Sequence, residues 1–213
     1  MNCNRDTMLL YAVTDRTWCG HQSLYEQVEC ALRGGVSCVQ LREKALDRET
    51  FLTEAREIHA LCRNYNVPLI INDHVDIALQ SGAEGVHVGQ DDMNARDVRS
   101  IAGGQLMLGV SAHTVQEALD AEAAGADYLG CGSVFATSTK SNVTSLPHDV
   151  LREICTRVHI PVVAIGGISR ENLPQLAGCG VAGVALVSAI FAASDIEAEC
   201  RALRALSKRM VST

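Results

Sequence analysis

The stretch "PLIINDHVDIALQSGAEGVHVGQDD" (68–92) contains two short apolar runs separated by an amphipathic segment. The runs "PLIIN" and "GVHVG" have the length of buried β-strands. The segment between them predicts a helix, for which Asn72 and Asp73 could supply the N-cap. Gly82 falls between the end of this helix and the next strand, which is typical of a helix C-cap. The stretch therefore predicts one strand–helix–strand unit of a parallel sheet.

The same alternation recurs along the chain of 213 residues. The apolar runs cover residues 9–13, 37–41, 68–72, 85–89, 106–110, 127–132, 161–167 and 183–188. Continuous apolar runs are typical of strands that are buried on both faces. Eight strand–helix units of about 25 residues each favour an α/β protein with a single-domain (β/α)8 TIM barrel over residues 1–213. A doubly wound open sheet is the alternative.

Helical periodicity is clearest in "RETFLTEAREIHALCRNY" (48–65) and "TVQEALDAEAAGAD" (114–127). The apolar stripe of the second segment comprises Val115, Ala118, Leu119 and Ala123. The last segment, 189–210, predicts one closing helix.

Composition and charge narrow the range of functions. The formal net charge is −7 with no run of like charges, whereas a general nucleic-acid binder presents a basic face. No apolar segment is long enough to span a membrane, and the N-terminal residues lack the apolar core of a signal peptide. Nine scattered cysteines without a CxxC pair indicate reduced thiols in a cytoplasmic protein. The oligomeric state stays open, and a homo-oligomer is compatible with the sequence.

The segment "VQLREK" (39–44) runs from a strand into long polar side chains. Gln40, Arg42 and Lys44 share one face of an extended chain because alternate residues point the same way. In a barrel this face looks into the mouth, where functional sites lie. Leu41 should then lie under the helix layer and Glu43 near the rim.

Polar residues follow the other strands at the same rim. They are Asn72, Asp73, Gln90, Asp91, Asp92, Ser111, Thr137, Ser138, Thr139, Lys140 and Ser188. Each taken alone could be a cap or a solvated loop residue, but their convergence indicates a binding site. Three cations (Arg42, Lys44 and Lys140) with two carboxylates (Asp73 and Asp92) favour a diphosphate and Mg²⁺, whose oxygen ligands are often completed by substrate phosphate.

A second anion site is predicted at "IGGI" (165–168) and "LVSAIF" (186–191), which follow strands 7 and 8. Barrels frequently bind phosphate between these loops, and glycine permits a close approach of the backbone. Two anionic groups in one cavity indicate a two-substrate transferase that releases pyrophosphate. No histidine has the paired spacing of a metal site, and His87 is expected either to be structural or to support a neighbouring site residue without a catalytic role.

The ordered set of motifs resembles the thiamine phosphate synthase family from about residue 9 to residue 192. The motifs are "YAVTDR" (11–16), "VQLREK" (39–44), "LIINDHVDIALQSGAEGVHVGQDD" (69–92), "LGVSAHT" (108–114), "VFATSTK" (134–140) and "VVAIGGI" (162–168). The resemblance implies a (β/α)8 barrel enzyme that joins hydroxymethylpyrimidine diphosphate to thiazole phosphate, or to its carboxylate. The implied mechanism is dissociative: pyrophosphate leaves with the help of Mg²⁺, and the thiazole nitrogen then captures the pyrimidine-methyl cation.

The resemblance also implies roles for individual residues. The pyrimidine diphosphate would be held by the segment 40–44 and three further residues, namely Gln40, Leu41, Arg42, Glu43, Lys44, Asn72, Ser111 and Lys140. Among these, Arg42, Ser111 and Lys140 would take part in catalysis. The thiazole phosphate would be held by Thr137, Ser138, Thr139, Gly167, Val187 and Ser188. Asp73 and Asp92 would bind Mg²⁺, and Asp91 offers an additional carboxylate beside them.

Two positions depart from the family pattern, and two alternatives stay open. Ala136 and Ser133 stand where the family often has proline, which could loosen the loop after strand 6. A thiazole tautomerase on the same barrel is one alternative, although its relatives have histidine where Ser133 stands. A non-catalytic phosphate-binding barrel is the other alternative. Such a protein would tolerate the loss of the two metal-binding carboxylates, whereas Asp73 and Asp92 are both present here.

Overall fold

The computed structural model describes residues 3–136 and 145–213 as a closed parallel barrel. The strands are β1 Leu10–Val13, β2 Cys38–Leu41, β3 Leu69–Asn72, β4 Gly85–Val88, β5 Met107–Ala112, β6 Tyr128–Cys131, β7 Val162–Ile165 and β8 Gly183–Leu186. They are hydrogen-bonded in chain order, and β1 pairs with β8 to close the barrel. The predicted barrel is thus confirmed, and the open-sheet alternative is excluded because neither β1 nor β8 is left as a free edge.

Helices surround the strands. They are α1 Leu24–Gly34, α2 Arg48–Asn64, α3 Val75–Ser81, α4 Ala95–Ala102, α5 Val115–Ala123, α6 His148–Arg157, α7 Ser188–Phe191 and α8 Ile196–Val211. Short 3₁₀ turns follow β1 (Arg16–Trp18) and β7 (Leu173–Leu176). No helix within the described residues is both long enough and apolar enough to cross a bilayer.

Local sequence signals explain where several helices begin and end. The Ser23 hydroxyl and the Glu26 carboxylate form a reciprocal capping box at the start of α1. Asp47 accepts the backbone N–H groups of Glu49 and Thr50 at the start of α2. Gly35 ends α1 with φ of 91°, a left-handed conformation that favours glycine. Gly82, predicted as the C-cap of the helix after β3, ends α3 with φ of 80°, so that prediction is confirmed.

Two helix predictions need correction. Residues 189–210 form α7 and α8 rather than one closing helix, because Asp195 accepts the Ala198 N–H at 2.9 Å and starts a new helix. Helix α5 ends at Ala123, four residues earlier than predicted, because the chain turns through Gly125 with φ of 94°. Ala123 is consequently exposed, and Ala121 is buried in its place.

The core has two layers, which follow from the alternation of side chains along each strand. Between strands and helices lies a continuous aliphatic layer that includes Leu41 and Ile71. Inside the barrel lies a smaller cluster that includes Tyr11, Ile70 and Tyr128. Tyr11 and Tyr128 of this inner cluster also line a cavity at the carboxyl ends of the strands.

Candidate active site

A cavity opens at the C-terminal end of the barrel, and all eight strands contribute to its lining. Of the residues predicted for the site, those that line it are Gln40, Arg42, Asn72, Ser111, Gly167, Val187 and Ser188. These residues come from β2, β3, β5 and the segments after β2, β7 and β8. The structure therefore brings together, at one rim, residues that lie more than 140 positions apart in the chain.

The floor of the cavity is a chain of hydrogen-bonded side chains that crosses the barrel. Gln40 Nε2 donates to the Tyr11 hydroxyl at 2.8 Å, and the Tyr11 and Tyr128 hydroxyl oxygens lie 2.8 Å apart. His87 continues the chain, with Nδ1 3.1 Å from the Tyr128 hydroxyl and Nε2 3.0 Å from the Ser111 hydroxyl. Because every link is short, the chain fixes Gln40 and Ser111 on opposite walls.

Burial raises the pKa of both tyrosine hydroxyls well above the ordinary value. The hydroxyls therefore stay protonated near neutral pH and act as hydrogen-bond donors and acceptors rather than as bases. The floor thus offers polar groups of fixed orientation to a flat heterocycle without offering a strong base.

Sequence reasoning did not single out Tyr11 or Tyr128 as site residues. A signal was present, since only 4% of the residues are aromatic and both tyrosines lie within apolar strand runs. Their inward orientation depends on the strand register, which pairs Tyr11 with Cys38 and Tyr128 with Gly109. Gly109 makes this arrangement possible, because a Cβ atom at that position would lie 2.2 Å from the Tyr128 ring.

The register of "VQLREK" is confirmed for its strand residues. Gln40 and Arg42 line the cavity, whereas Leu41 is fully buried in the outer layer. Lys44 is exposed and does not line the cavity. The Glu43 side chain is 3% exposed and pairs with Arg16 outside the cavity. The side chains of Leu41 and Glu43 therefore face away from the cavity. Their predicted role in substrate binding could be filled only by their backbone groups.

Arg42 is held at the mouth by the loop after β1. Its backbone N–H donates to the Thr14 hydroxyl at 3.0 Å, and its guanidinium lies 3.9 Å from the Asp15 carboxylate. Although burial opposes the effect, hydrogen bonds from Thr17 and the nearby charges of Arg42 and Lys44 lower the pKa of the Asp15 carboxyl. Asp15 was not predicted as a site residue, but it orients the main cation of the cavity.

Asp73 and Asp92 form a pair of carboxylates at the neighbouring ends of β3 and β4. Asp73 adopts φ of 64° within a tight turn in which the His74 N–H donates to the Asn72 carbonyl. The start of α3 has no side-chain cap, so the interpretation of Asn72 and Asp73 as its N-cap is wrong. The Asp92 carboxylate accepts the Gly89 N–H at 2.8 Å and lies within hydrogen-bonding reach of Asp73.

Burial, together with the adjacent Asp92 carboxylate, raises the pKa of Asp73 to about 6. Two carboxylates that approach each other in this way offer hard oxygen ligands to a divalent cation, which would relieve their repulsion. Residues 3–136 and 145–213 contain no group of three or more His, Cys, Asp or Glu side chains that could hold a metal ion by themselves. The pair therefore fits an ion that keeps waters or takes further ligands from a substrate.

The raised pKa of Asp73 makes a prediction for stability. The folded protein holds the Asp73 proton more tightly than the unfolded chain, whose ordinary value is 3.8, so metal-free stability should fall as pH rises through about 6. Asp73→Asn should remove this part of the pH dependence. Thermal unfolding in the presence of a chelator, for both proteins across this range, measures the difference. Parallel profiles for the two proteins would contradict the interpretation.

The opposite wall of the cavity is built from backbone after β7 and β8. Gly166 and Gly167 have φ of 98° and 64° and lie against the segment after β6. A Cβ atom on Gly167 would stand 2.3 Å from the Ala136 carbonyl oxygen. The Asn172 side chain donates to the Gly167 carbonyl at 2.8 Å, which fixes this turn beside Val187 and Ser188.

Gly167→Ala is expected to weaken binding at this wall and to lower stability. The left-handed backbone disfavours a Cβ atom, and the contact with Ala136 would push two cavity walls apart. We expect a loss of about 1–3 kcal/mol in unfolding free energy, measured by denaturant titration. Gly178→Ala is the matched control: its φ is 73°, but nothing lies within 4 Å of its Cβ position. An equal loss in both variants would show that backbone conformation alone accounts for the effect.

The loop after β6 carries the remaining predicted residues. Ser133 lies in the cavity wall, and its hydroxyl donates to the Phe135 carbonyl at 2.5 Å. Thr137, Ser138, Thr139 and Lys140 lie outside the described residues. Their assigned roles in substrate binding stay predictions.

A model of the thiamine monophosphate synthase family matches residues 10–190 of the chain. The chain belongs to this family. A thiamine-phosphate synthase of Ruminiclostridium cellulolyticum is 47% identical over 194 residues, which cover 91% of the chain and 92% of that relative. Thiamine-phosphate synthase 2 of Streptococcus pneumoniae serotype 4 is 45% identical over 199 residues, which cover 93% and 95%.

A solved structure extends the comparison to three dimensions. Thiamine phosphate pyrophosphorylase from Pyrococcus furiosus matches the barrel with a TM-score of 0.90 at 35% identity, covering 97% of this chain and 98% of that one. The predicted membership in the thiamine monophosphate synthase family, a family of transferases, is thereby confirmed.

Proposed function

We propose that this chain joins hydroxymethylpyrimidine diphosphate to thiazole phosphate and releases thiamine phosphate and pyrophosphate; with the thiazole carboxylate as substrate, CO2 is released as well. The observation that carries the proposal is the convergence of one cation and two carboxylates on one side of a single cavity. Arg42 and Asn72 line that side of the cavity. Asp73 and Asp92 lie just behind it and do not line it: the Asn72 amide donates to Asp73 Oδ2 at 2.5 Å, and the charges of Asp92 and Arg42 both act on Asp73. The glycine-rich wall lies across from them. This arrangement supports two anionic substrates that meet above the floor.

The diphosphate would lie at the mouth between β2 and β4. The Arg42 guanidinium offers several donors to phosphate oxygens, and the Asn72 amide adds a neutral donor. Lys44 and Lys140 would supply further positive charge, as the family resemblance implies. Mg²⁺, held by Asp73 and Asp92, would neutralise the charge that develops on departing pyrophosphate. The raised pKa of Asp73 supports a cation between these two carboxylates.

The pyrimidine ring would lie on the hydrogen-bonded floor. Gln40 and Ser111 face each other across this floor, and both are tied to it through Tyr11 and His87. An aminopyrimidine has donors and acceptors along its edge that such groups can satisfy. Fixed partners would hold the reactive methylene toward the glycine-rich wall, which supplies positioning rather than acid–base chemistry.

The thiazole phosphate would lie against Gly167, Val187 and Ser188. Glycine leaves backbone N–H groups accessible, so the phosphate can approach closely. Thr137, Ser138 and Thr139 are proposed to complete this site from the loop after β6. The two phosphate sites on opposite walls leave the thiazole nitrogen to face the pyrimidine methylene.

The proposed chemistry needs leaving-group stabilisation more than a base. Arg42 and the other cations would stabilise negative charge on pyrophosphate as its bond to the methylene breaks. The pyrimidine-methyl cation would then be captured by the thiazole nitrogen, which loses no proton in the step. The protonated tyrosines of the floor are consistent with this, because they cannot remove protons near neutral pH.

The test is an incubation of the purified protein with both substrates and Mg²⁺, followed by chromatographic detection of thiamine phosphate and pyrophosphate. Formation of both products in equal amounts would support the proposal. If only the thiazole carboxylate changes, by isomerisation, the tautomerase alternative is correct. Binding of either substrate without any turnover would favour the non-catalytic alternative.

We further propose a cytoplasmic location. All nine cysteines carry free thiols, and burial raises the pKa of several of them, for example that of Cys62 to about 12. Such unreactive thiols are typical of a reducing compartment.

A further inference from the structure

Two glutamates that the proposed mechanism does not use meet beside the cavity. Glu43 follows β2 and is almost fully buried, and Glu54 lies in the second turn of α2. Arg16, in the turn after β1, lies between them. Its Nε donates to Glu43 Oε2 at 2.8 Å, and its Nη2 donates to Glu54 Oε1. One cation thus serves two carboxyl groups that come from different elements.

Each carboxyl group has one oxygen that Arg16 does not reach. Glu43 Oε1 and Glu54 Oε2 are both buried, and neither has a hydrogen-bond donor among the residues that the structure describes. The two carboxyl groups nevertheless lie within hydrogen-bonding reach of each other. Two ionised carboxylates in this position would leave both buried oxygens unsatisfied, which destabilises the folded state.

We propose that Glu43 and Glu54 share one proton, so that a carboxyl–carboxylate pair clamped by Arg16 holds the segment carrying Arg42 at the mouth of the barrel. A single proton between Glu43 Oε1 and Glu54 Oε2 satisfies both buried oxygens at once. It also leaves the cluster with one negative charge, which the Arg16 guanidinium balances.

The surrounding charges agree with this assignment. Burial raises the pKa of Glu43, and Glu54 raises it further, against the opposing effect of Arg16. Arg42 and Lys44 flank Glu43 in the chain, and two further ionisable groups near the glutamates are Asp15 and Cys19 in the loop after β1. Asp15 is turned toward Arg42 and Lys44, and burial raises the pKa of the Cys19 thiol. Neither supplies a second positive charge that would favour two ionised glutamates.

The cluster is placed to position Arg42. Glu43 is the next residue in the chain, and Arg16 follows Asp15, which pairs with the Arg42 guanidinium. The clamp therefore ties together the two loops and the helix that surround Arg42. This role in positioning rests on the proposed function, whereas the shared proton does not depend on it.

Infrared spectroscopy near neutral pH tests the shared proton. Glu54→Gln replaces Oε2 with an amide nitrogen that can donate to Glu43, so the shared proton is no longer needed. We expect the carbonyl band of one protonated carboxyl group to disappear, and Glu57→Gln, an exposed change on the same helix, to leave it unchanged. All these proteins also carry Asp73→Asn, so that a protonated Asp73 contributes no carboxyl band of its own. No loss of band in Glu54→Gln would overturn the proposal.

The same proteins give a second readout from thermal unfolding. The shared proton makes stability fall as pH rises above the ordinary glutamate value of 4.5, because the folded state binds this proton more tightly. In the Asp73→Asn protein we expect Tm to fall by about 2–4 °C as the pH rises. When Glu54→Gln is added, we expect this fall to disappear. Parallel profiles would overturn the proposal.

Kinetics separate positioning from stability. Glu54→Ala should raise KM for the pyrimidine diphosphate about tenfold while changing KM for the thiazole phosphate little, and Glu54→Gln should restore both values. Equal changes in both KM values would overturn the positioning role. If the wild-type protein forms no thiamine phosphate, the proposed function fails, but the infrared and unfolding results still decide the shared proton.

Discussion

Asp92→Asn is expected to lower kcat/KM by about a thousandfold at saturating Mg²⁺, while the metal-free protein becomes more stable above pH 6. The activity falls because one of two carboxylates that could hold the cation loses its charge. Stability rises because burial and the Asp92 carboxylate together raise the pKa of Asp73 to about 6, and the substitution removes the repulsion from Asp92. Asparagine can still accept the Gly89 N–H through its side-chain oxygen, so the local turn is retained. Steady-state kinetics and thermal unfolding in chelator measure the two effects.

Asp91→Asn is the matched control for this prediction. Asp91 is the adjacent carboxylate and is exposed, whereas Asp92 is the carboxylate that raises the pKa of Asp73 together with burial. We expect Asp91→Asn to keep activity within about threefold of the wild-type value. If Asp91→Asn loses the activity and Asp92→Asn keeps it, the cation is held by the other carboxylate of the motif.

Arg42→Met should lower kcat/KM by about a hundred- to a thousandfold, with little change in stability. The guanidinium is the cation that lines the cavity within the described residues, and charge on the leaving group would lose its main partner. Stability should change little, because the ion pair with Asp15 spans 3.9 Å and is partly exposed to solvent. Methionine keeps most of the aliphatic stem, so packing is preserved.

Two further variants make the Arg42 prediction specific. Arg48→Met removes an exposed arginine that pairs with Asp76 on the helix surface, and it should leave kinetics unchanged. Arg42→Lys keeps the charge but loses the planar group with several donors, so it should recover part of the activity. A full loss in Arg48→Met, or full activity in Arg42→Met, would remove Arg42 from the proposed catalytic machinery.

Much of the fold is predictable because local rules repeat. Each strand is a short apolar run, and caps such as Ser23 and Asp47 mark where helices begin. The predicted helix boundaries were wrong where a single residue overrides the pattern. Asp195, for example, starts a new helix within a continuous amphipathic segment. The register of "VQLREK" was predictable, since alternation in a strand has a period of two.

The site was less predictable, because it depends on contacts between distant residues. The prediction of Asp73 and Asp92 as a pair required only that neighbouring parallel strands end at one rim. The floor through Tyr11, Tyr128 and His87 was missed, since apolar runs give no sign of which aromatic hydroxyls will meet inside a barrel. Glu43 shows the limit most clearly: it lies in the motif for the diphosphate, yet its carboxyl group is buried against Arg16 and Glu54.

The barrel, the facing of Gln40, Leu41 and Arg42 and the family can all be derived from the sequence, because they depend on periodicity, capping and ordered motifs within short stretches. Three features emerge only in the folded molecule: Asp92 shifts the pKa of Asp73, two tyrosines and a histidine form the floor, and two glutamates meet around one arginine. Burial and the proximity of charges arise when separate strands and loops come together, so no single segment carries that information.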